Sequence, residues 1–224
     1  DELEEMLSIA AKNESYKPQL EQFKLEQQNG FDAVDFTEEF TVLEKLFEGV
    51  SLIGDYSSKI KDQILSIGEV LSAKLLTAIL LKNGVTARFA DSRELIKTDS
   101  KFGDAQPIEQ ASKKNVIQYF KENEDAVNIV TGFIASNAKN VTTTLGRNGS
   151  NYTASLIANY LNAEELQNYT HVDGIYTANP DLVPDAKKID YLTFNEANEL
   201  ANFGATILHA KTIIPLLEKN IPLR

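Results

Sequence analysis

The chain has 224 residues, 42% hydrophobic and 25% charged, which suits one large α/β domain or two small ones with a sizeable core. A formal net charge of -11 argues against non-specific nucleic-acid binders and anionic-membrane binders, which need clustered Lys and Arg, so neither partner is expected. With no cysteine and two histidines, disulfides and thiolate metal sites are excluded, and no metal ligands are predicted.

No targeting segment is predicted. The chain opens on an acidic stretch from Asp1 to Glu5, unlike a signal or transit peptide. The longest apolar runs, such as Leu75 to Leu81, are too short to span a bilayer. We therefore expect a cytoplasmic protein.

The first ~85 residues are predicted to be helical. Phe40, Leu43 and Phe47 recur at helical spacing and indicate a buried stripe. The polar stretch from Asn13 to Gly30 predicts a solvated helix. Gly84 is expected to end the last of these helices.

Gly68 and Glu69 interrupt this helical pattern within the motif Ser66-Ile67-Gly68-Glu69. Because glycine inside a helix costs ~1 kcal/mol relative to alanine, we expect a compensating feature. A helix that begins at Gly68 would place Glu69 in its first turn, where a carboxylate faces the positive end of the helix dipole. On the residues alone, this structural role is favoured over a functional one.

The second half has the alternation of an α/β protein. Val85 to Ala90 predicts a short strand, and Val127 to Phe133 predicts a buried strand. A loop rich in Thr, Gly, Ser and Asn follows from Thr142 to Ser150, and an apolar helix then runs to Leu161. Strand, small-residue loop and helix form the pattern that places ligands at the carboxyl ends of strands.

Two further helices are predicted towards the end. Thr193 and Glu196 have the spacing of a capping box, which opens a helix to about Phe203. The last helix is expected near 207–219, and Ile221 to Arg224 resembles the beginning of a strand.

The loop from Leu145 to Thr153 is the strongest candidate for ligand binding. Gly146 and Gly149 let the backbone approach a ligand closely, and the following helix offers unpaired N–H groups. Arg147, one of four arginines in the chain, supplies a planar fork suited to a carboxylate or phosphate. An anion site and an ordinary Asn-Gly turn with a solvated arginine are equally compatible with the pattern.

A second candidate loop runs from Thr170 to Pro180. Asp173-Gly174 and Asn179-Pro180 predict two turns around a short extended piece. His171 could contact a ligand, although a lone histidine is more often structural. The chain contains no Walker A, G-x-G-x-x-G or H-R-D motif, so pattern reading alone finds no nucleotide site.

Four motifs together resemble the aspartate kinase family, within the wider amino-acid kinase fold. Gly146 to Ala154 is similar to the family's G-R-G-G-S-D-Y-S-A, and Thr170 to Pro180 is similar to T-D-V-D-G-V-Y-T-A-D-P. Phe203 to His209 resembles F-G-A-K-V-L-H, and Ser66 to Glu69 resembles S-x-G-E. Their order and spacing agree from about Gly49 to Arg224.

The resemblance implies an α/β amino-acid kinase fold, with a mostly parallel central sheet sandwiched by helices. It also implies transfer of the ATP γ-phosphate to the side-chain carboxylate of L-aspartate, with Mg²⁺ as cofactor, on the route to lysine, threonine and methionine. The residues given catalytic roles would be Arg147 and Glu69. The aspartate site would be lined by Ser66, Gly132, Phe133, Arg147, Ser150 and Asn151. The nucleotide would lie along Thr170, His171 and Tyr176.

The sequence departs from the family pattern at four positions. Asn151 stands where the family has Asp, His171 replaces an Asp, Asp181 replaces an Arg, and Thr206 replaces a Lys. Two of these changes remove a cation from the nucleotide side, for which Lys211 is a candidate replacement. The aspartate site is therefore the better supported of the two.

The resemblance further implies a partial catalytic domain over residues 1–224, truncated at both ends. The family's K-F-G-G-T-S segment, whose lysine reaches the transferred phosphate, has no counterpart here, so the fragment itself is expected to be inactive. A helical half of about 1–84 and an α/β ligand-binding half of about 85–224 are expected. Val183 to Ala186 is closest to the bifunctional aspartokinase–homoserine dehydrogenases, and the full-length protein is expected to be a homo-oligomer.

Two alternatives remain open at this point. One is a different amino-acid kinase, such as a glutamate or uridylate kinase. The other is a catalytically dead regulatory or binding module that keeps the fold, which the substitutions at Asn151, His171, Asp181 and Thr206 would favour.

Overall fold

The computed structural model describes residues 2–28, 34–170, 174–178, 182–193, 195–197, 199 and 210–224. The chain divides into two compact units, Asp1–Ser150 and Asn151–Arg224. The predicted division near residue 84 concerns two halves of one domain and stays a prediction.

The described helices are α1 (Glu2–Ala11), α2 (Lys17–Gln28), α3 (Thr37–Ile53), α4 (Ser58–Lys82), α5 (Ser92–Leu95), α6 (Glu109–Glu122), α7 (Gly149–Leu161) and α8 (Ala210–Leu217). The described strands are β1 (Ala87–Ala90), β2 (Lys97–Thr98), β3 (Val127–Val130), β4 (Ile134–Asn137) and β5 (Thr142–Thr144).

Helices α1, α3 and α4 pack together around the main hydrophobic core. The predicted stripe of Phe40, Leu43 and Phe47 is buried there, which confirms the helical periodicity. Helix α2 is mostly exposed, with Leu20 and Phe23 as its buried residues, as expected of the polar segment. The first 84 residues thus supply a helical layer.

Helix α4 runs without a break from Ser58 to Lys82, so the prediction that a helix begins at Gly68 is wrong. Gly68 instead lies in mid-helix, where an added Cβ would come within 3.3 Å of Leu3 Cδ1. The compensation for a mid-helix glycine is therefore the close approach of a core side chain from α1.

Helix α4 is also long and apolar enough to cross a membrane by length and composition, although the short apolar runs in the sequence predicted no such segment. This test is weak, because core helices pass it too. The apolar side chains Ile64, Leu65 and Leu71 pack into the core with α1 and α3, as expected of a core helix.

The strands form two small sheets. β1 pairs in parallel with β3, from Ala87 opposite Val127 to Ala90 opposite Val130. β4 lies between β2, which is parallel to it, and β5, which is antiparallel. Because α4 packs on both sheets and α6 packs on β2, the prediction of an α/β fold with mostly parallel pairing is confirmed.

The predicted buried strand from Val127 to Phe133 is shorter and less buried than expected. It ends at Val130, and Val127 is 48% exposed. Thr131 N–H still donates to Ala90 O of β1 (3.1 Å), and the Thr131 hydroxyl accepts a hydrogen bond from the backbone N–H of Ser92 (2.8 Å). The chain therefore leaves the sheet before Gly132 and Phe133.

The second unit contains α8 and most of α7, with Ala158, Leu216 and Ile221 as its buried core. The predicted last strand is a single bridge, in which Leu166 pairs in parallel with Leu223. The predicted capping box is confirmed, since Thr193 N–H donates to Glu196 Oε2 (2.8 Å) and Glu196 N–H donates to Thr193 Oγ1 (3.3 Å). The end of that helix near Phe203 lies outside the described residues.

Candidate functional site

The predicted anion loop lies between β5 and α7. Gly146 (φ 75°) and Asn148 (φ 57°) both have left-handed backbone conformations, and Gly149 N–H donates to Gly146 O (3.0 Å). Residues Gly146 to Gly149 therefore form a tight turn, and Arg147 projects from the surface at this turn. The Arg147 side chain is exposed, and no residue in the described ranges pairs with it.

A second segment, Thr131 to Phe133, crosses directly against the start of α7. A Cβ added to Gly132 would lie 2.8 Å from Ser150 Cβ and 2.9 Å from Ser150 Cα. A Cβ added to Gly149 would lie 2.7 Å from Phe133 Cδ2. Neither position has room for a side chain, so the two glycines bring three of the predicted substrate residues together: Gly132, Phe133 and Ser150.

Phe133 has a strained backbone. Its φ of 66° is unusual for a bulky residue, and Ile134 N–H donates across it to Gly132 O (2.6 Å), which makes a γ-turn. Phe133 O accepts from Leu145 N–H (2.9 Å), and the ring packs against the helical core. Strain of this kind persists only where surrounding contacts fix it, and it is concentrated at ligand sites.

Helix α4 carries two further predicted site residues, Ser66 from the substrate site and Glu69 with a catalytic role. Ser66 is buried and its hydroxyl donates to Gln63 O (2.8 Å) of its own helix. Glu69, three residues later, is half-buried, and burial raises the pKa of its carboxyl. No residue in the described ranges donates a hydrogen bond to Glu69, so this carboxylate is available to a cation.

Sequence reasoning missed Asp62, on the same face of α4. Its carboxylate accepts hydrogen bonds from Gly103 N–H (2.9 Å), Thr144 N–H (3.0 Å) and the Thr144 hydroxyl (2.8 Å). Burial raises the pKa of the Asp62 carboxyl, although these hydrogen bonds oppose the rise. The spacing of Asp62, Ser66 and Glu69, at i, i+4 and i+7, was a signal for a polar stripe on an otherwise apolar helix.

Asn151 lies in the first turn of α7 and is half-buried. Its backbone carbonyl accepts from the Ser155 hydroxyl (3.0 Å). Within the second unit, the Lys211 ammonium lies 5.9 Å from the centre of the Tyr152 ring, so the predicted substitute cation sits beside the residue that follows Asn151.

The predicted nucleotide segment is described only in part. Thr170 is exposed, and Tyr176 is half-buried and bridges to Lys188. Thr177 N–H donates to Lys187 O (2.9 Å) and Ile189 N–H donates to Ile175 O (2.8 Å), which confirms a short extended piece. His171, Asp181 and Thr206 lie outside the described residues, so their predicted roles stay predictions.

No group of three or more His, Asp or Glu side chains that could hold a metal ion occurs among the residues that the structure describes. Mg²⁺ at phosphoryl-transfer sites is commonly held by one or two carboxylates together with the substrate phosphates. Such a site needs no preformed cluster in the protein.

The sequence is similar to curated aspartokinases. It is 38% identical over 186 residues to lysine-sensitive aspartokinase 3 of Escherichia coli, an alignment that covers 80% of this chain and 41% of that protein. It is 34% identical over 182 residues to the bifunctional aspartokinase/homoserine dehydrogenase 2 of Arabidopsis thaliana, an alignment that covers 81% of this chain and 20% of that protein. The chain thus spans well under half the length of these relatives.

Solved structures show the same fold. Escherichia coli aspartokinase III, in complex with aspartate and ADP, superposes with a TM-score of 0.88 at 32% identity, over 99% of this chain and 52% of that one. The aspartate kinase of Clostridium acetobutylicum superposes with a TM-score of 0.75 at 24% identity, over 100% of this chain and 48% of that one, and this similarity supports the fold alone. The amino acid kinase family model matches residues 6–224, so the chain belongs to the amino acid kinase family.

Proposed function

We propose that this chain is the catalytic part of an aspartate kinase, which moves the γ-phosphate of ATP to the side-chain carboxylate of L-aspartate. The observation that carries the proposal is the loop from Gly146 to Ser150. It presents Arg147, which has no partner within the described part of the chain, from a turn that is packed tightly against Gly132 and Phe133. The similarity to curated aspartokinases supports the choice of substrate.

The charges of the site match those of aspartate. The substrate carries two carboxylates and one ammonium group. Arg147 offers a planar, permanently charged fork for a carboxylate, and Glu69 offers a carboxylate without a partner in the described ranges for the ammonium. Ser150 and Phe133 would line the space beside them.

The reaction needs alignment more than proton transfer. A carboxylate with a pKa near ~4 is already ionised at neutral pH, so no general base is required. One carboxylate oxygen attacks the γ-phosphorus, the bond to the β,γ-bridging oxygen breaks, and ADP leaves with that electron pair. Since two anions must meet, the contribution of the protein is to hold them in line and to oppose their repulsion with cations.

ATP would bind along Thr170, His171 and Tyr176, with Lys211 as a further cation. Bound Mg²⁺ would neutralise phosphate charge and arrive with the nucleotide. The residues of this chain would orient the nucleotide and exclude water, while Arg147 holds the acceptor.

The test is a coupled assay for β-aspartyl phosphate on the full-length protein, with wild type, Arg147→Lys and Arg88→Lys. Lys lacks the bidentate geometry of Arg, so Arg147→Lys should raise the KM for aspartate by about 10- to 100-fold, as expected from the loss of a charge-assisted hydrogen bond. Arg88→Lys is the matched control, because Arg88 forms an exposed ion pair with Asp125 (3.1 Å).

The KM for ATP should change by less than about twofold in both variants, because neither arginine is assigned to the nucleotide. An effect of Arg147→Lys on ATP alone would contradict the site assignment. A preference for glutamate or a nucleoside monophosphate would point to another amino acid kinase, and complete inactivity of the wild type would favour a binding module.

A further inference from the structure

Asp62 is a buried carboxylate that the proposed chemistry does not use. It is 1% exposed, and no cation pairs with it among the residues that the structure describes. Its nearest charged neighbour in sequence, Lys61, pairs with Glu4. The carboxylate is therefore stabilised mainly by hydrogen bonds from three neutral donors, which belong to Gly103 and Thr144, with a smaller electrostatic contribution from Lys61.

These donors belong to two segments that are far apart in sequence. Gly103 lies in the loop between β2 and α6, and Thr144 is the last residue of β5. The same loop pairs with Thr144 from the other side, since Ala105 N–H donates to Thr144 O (2.8 Å). Asp62 thus joins α4, the Gly103 loop and the end of β5.

The residues after Thr144 lead directly to Arg147, and each is held in place. Leu145 N–H donates to Phe133 O, and Gly146 lies against the Gly103 loop, where an added Cβ would be 2.8 Å from Asp104 Oδ1. Since Asp62 fixes Gly103 and Thr144, it sets the position from which the Arg147 turn begins.

Packing alone does not account for a carboxylate at this position. A buried charge carries a large desolvation penalty, and apolar replacements of buried ionic groups are often neutral or stabilising. The other buried positions of helix α4 are uncharged: most are apolar, including Ile64, Leu65 and Leu71, and the hydroxyls of Ser66 and Thr77 donate within the helix itself. An acceptor with two oxygens is suited to this position because it binds three donors, which hold the Gly103 loop and the end of β5 in place.

We propose that Asp62 is a positioning residue for the acceptor site: it holds the Gly103 loop and the end of β5 so that Arg147 meets the aspartate carboxylate. This inference rests on the proposed function. Because it acts through geometry rather than charge, an amide should replace it. In Asp62→Asn the amide oxygen can accept from both backbone N–H groups, and the amide NH₂ can donate to the Thr144 hydroxyl, which turns to accept.

The experiment compares Asp62→Asn, Asp62→Ala and Thr144→Val in the full-length protein, with Thr77→Val as a matched control. Thr77 is a buried hydroxyl on the same helix, and it donates within that helix to Ala73 O (2.8 Å). The readouts are KM for aspartate, KM for ATP and kcat, together with amide hydrogen exchange of the segments 100–106 and 142–150.

Asp62→Ala should raise the KM for aspartate about tenfold or more, because misplacement of a binding group by about 1 Å costs up to 10²-fold. The KM of Asp62→Asn for aspartate should stay within about threefold of the wild-type value. The KM of Thr144→Val should lie between those of Asp62→Asn and Asp62→Ala. The KM for ATP should hold in all four variants. The rate of amide hydrogen exchange in segments 100–106 and 142–150 should rise for Asp62→Ala and stay unchanged for Thr77→Val.

The outcomes separate the two proposals. Equal losses in Asp62→Asn and Asp62→Ala would show that Asp62 acts through its charge, and an unchanged aspartate KM in Asp62→Ala would show that it positions nothing; either result overturns the inference. If Asp62→Ala does not fold, Thr144→Val provides the test: an unchanged KM for aspartate in that variant overturns the inference. A wild type that makes no β-aspartyl phosphate overturns the proposed function, and exchange then decides the role of Asp62 alone.

Discussion

Gly132→Ala adds one methyl group where two segments of the site touch. The new Cβ would lie 2.8 Å from Ser150 Cβ and 2.9 Å from both Ser150 Cα and Oγ. Ordinary carbon–carbon contacts are about 3.5–4.0 Å, so Ser150 or the segment around Gly132 has to move by about 0.7 Å. One of the three contacts is with backbone, which cannot rotate away as a flexible side chain could.

The cost follows from this displacement. Overpacking of a tight site destabilises by about 1–3 kcal/mol, which lowers Tm by about 2–12 °C for a domain of this size. Because the start of α7 carries Ser150 and follows the Arg147 turn, a shift of this size should also reduce kcat/KM for aspartate about tenfold or more.

The assay pairs thermal unfolding with aspartate kinetics, and Gly49→Ala serves as the control. Gly49 lies inside α3, and an added Cβ there meets nothing within 4 Å. The same substitution should therefore stabilise the protein by about 0.5–1 kcal/mol through helix propensity and leave kinetics unchanged. If Gly132→Ala were as stable and as active as Gly49→Ala, the close approach of Gly132 and Ser150 would be wrong.

Two further predictions concern charged groups. Because burial raises the pKa of Glu69 in the folded state, this carboxyl favours folding below its unfolded pKa, and the contribution is lost as pH rises through the folded pKa. Glu69→Gln should therefore stabilise the protein at neutral pH by about 1 kcal/mol and reduce the fall of the denaturant midpoint as pH rises above about 4, while aspartate turnover falls. A loss of stability in this variant would show that a partner group binds the carboxylate. Asn151→Asp should be neutral or stabilising by about 0.3–1 kcal/mol at the start of α7, with an equal or lower KM for aspartate, and a large drop in Tm would show that a neutral network surrounds it.

The elements that the sequence predicted well depend on short-range signals. The stripe of Phe40, Leu43 and Phe47, the capping box at Thr193 and the helix after Gly149 follow from spacing and capping within a few residues. The tight loop around Gly146 was predictable for the same reason, since glycine and asparagine supply its left-handed residues.

The features that the sequence did not predict depend on remote partners. Gly68 lies in mid-helix against Leu3 of α1, and Thr131, just after the strand at Val127, binds Ser92. Asp62 was missed, since its hydrogen-bond donors lie 41 and 82 positions away in sequence. Assignments to substrate and nucleotide came from the family resemblance, and those assignments, the cytoplasmic location and the homo-oligomer remain predictions.

The span of the Asp62–Thr144 contact has a consequence for how the chain folds. Closing a loop of 82 residues costs about 4 kcal/mol of chain entropy, whereas the backbone hydrogen bonds inside α1, α3 and α4 each span only four residues. We expect these helices to form first, and the Asp62–Thr144 contact to form after the transition state, which a φ-value near zero for Thr144→Val would register. Helical content would then return before binding competence, so a chain can look largely refolded by circular dichroism while its acceptor site is still unmade.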